Sequence, residues 1–366
     1  MGRRSANEGS IYRRKKDGLW VAQYLVDTPD GKTKRKYIYG KKRKDVADKL
    51  AEVQKERGEG LLLDAGSLTV AEFLADWLES EKESVRESTH NRREQVLRLH
   101  IYPNIGHLRL SKLNALHVQR LYARKLDEGL SPGTVRLIHA NLSKALQKAV
   151  RWRLVSVNVA RAATAPKNNV EEVKPLTRKE VKRLLDAARG NRFEALYVLA
   201  VTCGLRRGEL LGLRYEDIDL KRGTLQVRRS VSKGKVSLPK TSESRRNIKL
   251  SRTAIEALKR HKKRQTVLSE WVFCTHRGTP ICSQNLLWKA WEDIRERTGL
   301  PEGTHLHQLR HTCATLLLQE NVHPKLVSSL LGHSTIKQTL DTYSHVLDNM
   351  LGSVADGMDK VLSDAL

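Results

Sequence analysis

The chain has 366 residues, of which 39% are hydrophobic, and its 68 lysines and arginines against 41 acidic residues give a formal net charge of +27. This length predicts two or three domains. So large a charge indicates a polyanionic partner, since a basic surface gains affinity for DNA by releasing counterions. An enzyme acting on nucleic acid and a histone-like or ribosomal protein both fit this composition. We expect a cytoplasmic protein with no signal peptide, no membrane span and no metal or redox centre, because no apolar run approaches about 18 residues and the four cysteines form no Cys-x-x-Cys pair.

Residues 1–60 predict a small basic α+β domain with a three-stranded sheet and one helix. Asp17-Gly18 and Asp30-Gly31 separate runs of strand-type residues, as is typical of hairpins. Between residues 13 and 44 stand twelve lysines or arginines and three aspartates. Because β-structure fits the major groove of DNA, we interpret the sheet as a DNA-binding surface, although a merely solvated basic face would show the same pattern. The candidate DNA-binding residues are Arg13, Arg14, Lys15, Lys34, Arg35 and Lys36.

Residues 67–162 predict an all-α domain. A capping box begins at Thr69 and is followed by apolar residues at helical spacing. A second helix is expected to carry Val96 and Leu99 on its apolar face, and further helices follow. Residues 163–174 are polar and contain proline, so they predict a linker.

Residues 175–366 predict a third domain that is mainly α with a small β-sheet near 223–250. Early in this domain, Gly204 is expected to end an apolar helix and to bring Arg206 out at a turn. Glu209, three residues after the arginine, is placed to hold it. By itself this cluster is weak, because an arginine after a glycine is most often a surface residue.

Further polar residues in this domain fit the cleavage of a phosphodiester without a metal. That reaction needs a nucleophile, cations for the non-bridging oxygens, a proton donor for the leaving oxygen and groups that orient the phosphorus centre. Lys240, expected on a loop between strands, has a flexible ammonium that can reach a leaving oxygen. His307 and Arg310 stand three apart at the start of a helix, and Tyr343 lies ten residues beyond His333. Each residue alone is more often structural or solvated, but the ordered set is hard to obtain by chance.

The ordered set resembles that of the tyrosine recombinase (phage integrase) family over residues 67–366. Residues 1–60 resemble the arm-binding domain of many integrases of phages and conjugative elements. Two positions depart from the family pattern: Cys203, where threonine is common, and Asn158-Val159, where relatives often have Asn-Pro. Neither position carries a catalytic group. By this resemblance the catalytic residues are Arg206, Lys240, His307, Arg310, His333 and the nucleophile Tyr343, with Glu209 in support.

The resemblance implies a reaction with double-stranded DNA that uses no cofactor, metal or ATP. Tyr343 would attack a scissile phosphate and form a 3′-phosphotyrosine, leaving a free 5′-hydroxyl, and rejoining would be the reverse reaction. The two arginines would hold the non-bridging oxygens and the two histidines would contact the same phosphate. His307 is also a candidate to take the tyrosine proton, and Lys240 is the candidate general acid.

The expected assembly is a homotetramer on attachment core and arm sites, because recombining two duplexes requires a cut in each of their four strands. A DNA-bending host factor and an excisionase are expected as further partners, and a membrane is not. After the nucleophile, residues 350–362 carry an apolar stripe at helical spacing. This tail would pack either on a neighbouring protomer or on its own domain, and the sequence leaves both open.

Two other functions fit parts of the sequence. A simple recombinase for dimer resolution or inversion would use the same chemistry, but such enzymes generally lack a basic N-terminal unit. A DNA-binding protein with a vestigial site would not need the complete catalytic set. The sequence therefore favours an integrase of a phage or another mobile element.

Overall fold

The structure, a computed structural model, describes residues 10–27, 33–58, 68–167, 174–238, 245–281, 284–348, 359, 362 and 363. The chain divides into two compact units, residues 1–170 and 171–366. The predicted fold class is confirmed: a small sheet with a helix comes first, a helical region follows, and the second unit is mainly helical with small sheets. Within the described ranges, no helix is both long and apolar enough to cross a membrane.

The first unit begins with an antiparallel sheet in the order β1-β2-β3 that packs on one helix. Val46 and Leu50 of the helix are buried against Ala22 of the central strand. This contact buries one face of the sheet, whereas Tyr12, Tyr37 and Tyr39 are exposed on the other face. The elements are β1 (Ser10–Arg13), β2 (Trp20–Asp27), β3 (Thr33–Gly40) and α1 (Arg43–Gly58).

The rest of the first unit is a helical bundle whose core is built from apolar faces at helical spacing. The predicted capping box is present: the Thr69 hydroxyl accepts the backbone N–H of Glu72, and the Glu72 carboxylate accepts that of Thr69. The helices are α2 (Val70–Ser80), α3 (Glu87–Val96), α4 (Tyr102–Ile105), α5 (Ala115–Asp127) and α6 (Pro132–Arg151), with a π-helical turn at Leu97–Ile101 and 3-10 turns at Leu110–Lys112 and Val159–Ala162.

The π-helical turn changes which residues are buried after α3. We predicted Val96 and Leu99 on one buried face, but Leu99 is 44% exposed, whereas Leu97 and Ile101 are fully buried. A π turn is wider than an α turn, so it rotates the residues that follow relative to a regular helix. The prediction for Leu99 was therefore wrong, because it assumed an unbroken α-helical period.

The second unit is built around a helix, α8, whose residues are buried except for Thr202. Helices α10 and α12 both contact it. The helices are α7 (Arg178–Ala188), α8 (Glu194–Cys203), α9 (Arg207–Leu211), α10 (Arg252–Arg264), α11 (Gln284–Arg297), α12 (Gln308–Gln319), α13 (Pro324–Leu331) and α14 (Ile336–Asp348). A 3-10 turn at Tyr215–Asp217 precedes the strands.

Two small antiparallel sheets lie between α9 and α10, where a β patch was predicted. The strands are β4 (Ile218–Asp219), β5 (Thr224–Val227), β6 (Ser230–Ser232), β7 (Lys235–Ser237) and β8 (Arg246–Lys249). One sheet has the order β4-β5-β8, and β6 pairs with β7. Val227 pairs with Arg246, which sets the register of β8. Lys240 falls in residues 239–244, outside the described residues.

Candidate active site

Gly204 separates the buried helix α8 from the first arginine of the site. The helix ends there with the glycine at φ +59°, a left-handed conformation that other residues adopt at a cost. A Cβ at this position would also lie 2.5 Å from Leu331 Cδ2, so there is no room for a side chain. Arg206 follows in an extended conformation at the N-cap of α9. The arginine therefore leaves the helix at a turn.

Glu209 is a buried carboxylate that binds two arginines from different elements. Its Oε1 accepts a hydrogen bond from Arg206 Nη1 at 2.9 Å, and its Oε2 accepts one from Arg246 Nη2 at 3.0 Å. Burial raises the pKa of such a carboxyl, but the hydrogen bonds and charges of the arginines outweigh burial and hold the pKa of Glu209 below its usual value. The carboxylate is therefore ionised at neutral pH and partly balances the positive charge around it.

Three arginines meet at the C-terminal end of helix α13. The last carbonyls of a helix have no partner within it, and the helix dipole makes this end negative. Guanidinium groups donate hydrogen bonds to the unpaired oxygens, and their positive charge is attracted to the negative end of the dipole. These two contributions offset the repulsion between the three arginines. The contacts are those of Arg246 Nε with Leu330 O (2.6 Å), Arg310 Nη2 with Leu331 O (2.7 Å) and Arg206 Nη2 with Gly332 O (3.1 Å).

Arg310 is the most buried of the predicted arginines, with 4% of its surface exposed. In addition to its contact with α13, its Nη1 donates to Gly204 O at 2.6 Å. Burial, followed by the charge of Arg206, lowers the pKa of Arg310 to about 10. It remains charged at neutral pH, and two backbone carbonyls fix the plane of its guanidinium.

His333 follows α13 directly and is oriented by a threonine of the next helix. Its Nδ1 lies 2.7 Å from the hydroxyl of the buried Thr339. Burial, and then the charges of Arg310 and Arg206, lower the pKa of His333 to about 4. The ring is therefore neutral at neutral pH, and Thr339 fixes its Nδ1 edge.

Tyr343 is buried beside α12 and interrupts the regular geometry of α14. Only 3% of its surface is exposed, and its backbone has φ −122° and ψ 22°. Its hydroxyl oxygen lies 3.1 Å from His311 Nδ1. Burial raises the pKa of Tyr343 to about 12, against the effect of the positive charge of Arg310. The phenol is therefore protonated at neutral pH and lies against His311 of α12.

The structure brings the predicted residues of the second unit together, apart from Lys240, which lies outside the described part of the chain. Arg206, Arg310 and His333 gather at the end of α13. His307 is the N-cap residue of α12, and its ring centroid lies 5.2 Å from that of His311. Its side chain is exposed, so a ligand can reach it.

Sequence reasoning missed two residues of this cluster, and each had a signal. His311 stands four positions after His307 on a helix, which places both on one face. Arg246 stands two positions before the buried Ile248 on β8, so both side chains point to the same side of the sheet. Its side chain is 7% exposed, and a buried arginine needs a carboxylate partner, here Glu209.

The predicted DNA-binding residues of the N-terminal sheet do not all share one face. On β3, Arg35 alternates with Lys34 and Lys36, which lie on the side that packs on α1. Arg35 shares the outer face with the exposed Tyr37 and Tyr39. The other three candidates lie at the end of β1 and just after it. Arg13 and Lys15 are exposed, whereas Arg14 forms an ion pair with Asp17 and lies over the Tyr39 ring.

Comparisons with known proteins identify the family of the chain. Residues 174–350 match the Phage integrase family, and residues 69–126 match the phage integrase N-terminal SAM-like domain. The chain is 30% identical over 352 residues to the Tyrosine recombinase XerC-like protein of Caldanaerobacter subterraneus subsp. tengcongensis, covering 87% of this chain and 90% of that protein. It is 27% identical over 387 residues to an integrase of Streptomyces ambofaciens, covering 98% and 97%. The fold is similar to that of a lambda integrase tetramer bound to a Holliday junction, with a TM-score of 0.61 and 20% identity over 89% of this chain and 95% of that chain. The chain therefore belongs to the phage integrase family and is a tyrosine site-specific recombinase.

Proposed function

We propose that this recombinase cleaves DNA with Tyr343, forms a 3′-phosphotyrosine and a free 5′-hydroxyl, and rejoins strands to integrate and excise a phage or another mobile element. The observation that carries the proposal is the position of the buried phenol beside a cluster in which three arginines converge on the end of α13. Such a cluster is suited to one phosphate and its developing negative charge.

The arginines supply the cationic part of the site. Arg310 donates one N–H of Nη1 and one N–H of Nη2 to backbone carbonyl oxygens. The other N–H groups of the guanidinium are the donors proposed for phosphate oxygens. Charge-assisted N–H bonds to phosphate are about twice as strong as neutral ones. Because its plane is already fixed, Arg310 loses little freedom when the phosphate binds. Arg206, whose side chain is 37% exposed, is accessible from solvent and would hold a second oxygen.

Proton transfer must accompany the attack rather than precede it. From a pKa of about 12, forming a free phenolate at neutral pH would cost about 7 kcal/mol, at about 1.36 kcal/mol for each pH unit. The neutral His333 would donate from Nε2 to a non-bridging oxygen, and the exposed His307 would contact the same phosphate. Lys240 is the proposed general acid for the 5′ oxygen, reaching it from the segment between β7 and β8.

The domain roles follow the resemblance. We propose that residues 1–60 bind arm-type sites, residues 67–162 bind the core site, residues 163–174 link them to the catalytic domain, and residues 175–366 carry the chemistry. The exposed face of the N-terminal sheet has Arg35 among exposed tyrosines, a composition that suits a DNA groove.

The proposed assembly is a homotetramer on DNA. A lambda integrase of similar fold forms a tetramer on a Holliday junction, and two duplexes present four strands to be cut. A DNA-bending host factor and an excisionase would complete the machinery, and the reaction would take place on DNA in the cytoplasm of the host cell. The C-terminal stripe at 350–362 is proposed to pack on a neighbour or on its own domain; residues 349–358 lie outside the described residues.

The test of the reaction begins with finding a substrate. The purified chain is incubated with a pool of nicked duplexes that carry a randomised central region, and DNA that remains attached after denaturation is sequenced. The enriched duplex then serves for quantitative assays. Tyr343→Phe should form no covalent product while still retarding this duplex in a gel; covalent product from that variant would exclude Tyr343 as the nucleophile.

A simple recombinase for dimer resolution or inversion remains the second candidate, since a relative at 30% identity is named XerC-like. Substitutions on the outer face of the N-terminal sheet separate the two in the full chain. For an integrase, Arg35→Ala with Tyr37→Ala should impair recombination between attachment sites while cleavage of the isolated core duplex persists. Lys49→Ala, at an exposed lysine of α1, the helix that covers the opposite face of the sheet, is the matched control and should act like wild type. Unchanged recombination in the outer-face variant would favour the simple recombinase.

A further inference from the structure

The Tyr343 hydroxyl has a histidine partner that sequence reasoning did not assign. Its oxygen lies 3.1 Å from His311 Nδ1, and the two ring centroids are 5.9 Å apart. A hydrogen-bonded base at this distance is already within reach of the proton that must leave. We propose that His311 is a further catalytic residue, whose Nδ1 takes the Tyr343 proton while the tyrosine oxygen attacks phosphorus. This inference rests on the proposed function, because it requires Tyr343 to be the nucleophile.

Proton transfer to His311 requires that the Tyr343 hydroxyl donate the hydrogen bond to Nδ1. A neutral imidazole has one acceptor nitrogen and one N–H, whereas a protonated phenol has one O–H to donate. Burial, followed by the charges of Arg310 and His305, lowers the pKa of His311, so its ring is neutral at neutral pH. The proposal requires the tautomer in which Nδ1 accepts from the Tyr343 hydroxyl and Nε2 carries the ring hydrogen.

His307 is less well placed to be this base. It lies one turn earlier, at the exposed start of α12, and its ring packs edge-to-face on His311. Among the hydrogen bonds between described residues, Tyr343 pairs with His311 and not with His307. His307 therefore remains available for the phosphate, while His311 faces the phenol.

The proposed step conserves its atoms and protons. The Tyr343 O–H bond breaks as the new O–P bond forms, and the hydroxyl proton moves to His311 Nδ1. The bond between phosphorus and the 5′ oxygen breaks, and the 5′ oxygen takes a proton from the general acid, proposed to be Lys240. In rejoining, a 5′-hydroxyl attacks the phosphotyrosine, its proton returns to the acid, and His311 gives its proton back to the tyrosine oxygen.

The main test replaces His311 by a residue that keeps the hydrogen bond but cannot take the proton. In His311→Asn the amide oxygen occupies the place of Nδ1, so Tyr343 keeps an acceptor. Cleavage of the enriched duplex should slow by about 10²–10⁴-fold, the usual contribution of a general base, while its affinity for DNA is unchanged. His276→Asn, the same change at an exposed histidine of the second unit, should cleave at the wild-type rate. A wild-type rate in His311→Asn would overturn the proposal.

A sulfur-substituted substrate distinguishes the two ends of the reaction. A duplex in which sulfur replaces the bridging 5′ oxygen has a leaving group that needs no proton. His311→Asn should remain slow on this duplex, because its defect lies at the nucleophile, whereas Lys240→Ala should recover. Recovery of His311→Asn would mean that His311 serves the leaving group, which contradicts the proposal.

A measurement on the unmodified protein covers the case in which a His311 variant fails to fold. Nitrogen NMR of the histidine-labelled chain should show the His311 ring with hydrogen on Nε2 and a bare Nδ1. Hydrogen on Nδ1 would mean that the ring donates to the phenol, and the proposal would fall. The proposed function has a separate test. Covalent product from Tyr343→Phe would refute the assignment of Tyr343 as the nucleophile. An inactive Tyr343→Phe together with a fully active His311→Asn would refute only the proposed role of His311.

Discussion

The charge of Glu209 should stabilise the second unit as well as order its arginines. The side chains of Glu209 and Arg246 are 5% and 7% exposed, whereas that of Arg206 is 37% exposed. Breaking a buried ion pair by removing one partner costs about 3–5 kcal/mol, and the contact with Arg206 adds little because it is partly solvated. In Glu209→Gln the amide oxygen can accept from one arginine, but the amide N–H faces the other. We therefore expect a loss of about 3–5 kcal/mol in the free energy of unfolding, set by the buried pair.

Urea denaturation of the full chain measures this loss, and thermal unfolding should show a Tm lower by about 6–20 °C. The matched control is Asp293→Asn, whose ion pair with Arg297 is exposed (60% and 53%) and should cost under about 1 kcal/mol. The pKa of Glu209 is lowered in the folded chain, so its stabilisation is present above the usual carboxyl pKa and is lost as pH falls through the folded value. The gap between wild type and Glu209→Gln should therefore begin to narrow as pH falls below the usual carboxyl pKa of about 4.3. A variant as stable as wild type at neutral pH would refute this reasoning.

Three further changes have expected outcomes. Gly204→Ala should lower the free energy of unfolding in urea by about 2–5 kcal/mol, because it adds left-handed strain and overpacking. Gly190→Ala, at φ +83° with open space around it, should lower it only by the strain of about 1–2 kcal/mol. Equal losses in the two variants would contradict the packing argument. Arg310→Lys keeps the charge but cannot hold two carbonyls and a phosphate, so cleavage should fall by about 10²-fold or more while gel-shift affinity stays within a few-fold; a normal cleavage rate would rule out the guanidinium geometry. Thr339→Val removes the hydrogen bond that orients His333, and single-turnover cleavage should slow by about 10-fold; an unchanged rate would mean that the ring needs no such support.

Much of the fold could be predicted because local signals were strong. The capping box at Thr69 and the glycine after α8 mark helix ends by chemistry that acts within a few residues. Leu99 was misplaced because a π-helical turn has no such local signal. Long-range pairs could not be predicted either: Arg246 stands 37 positions from Glu209, and only the tertiary fold brings the two side chains together.

The candidate site likewise combines features that local spacing predicts with features that depend on tertiary packing. Spacing along α12 placed His307 and Arg310 on a common face, since helix geometry is fixed by sequence distance. The contact between His311 and Tyr343 joins α12 to α14, 32 positions apart, so it depends on the packing of two helices. The motif therefore indicates which chemistry is present, but the partner of each group is decided by tertiary structure.

The oxygens that gather the arginines at the end of α13 belong to the main chain, and no side-chain replacement can delete them. Substitutions at the exposed positions of this helix, Lys325, Leu326 and Ser329, should therefore leave the arginine cluster in place. Insertions and deletions are a different matter, because one added residue turns a helix end by about 100° and advances it by about 1.5 Å. Over evolutionary time, the length of this helix should consequently be held more strictly than its composition.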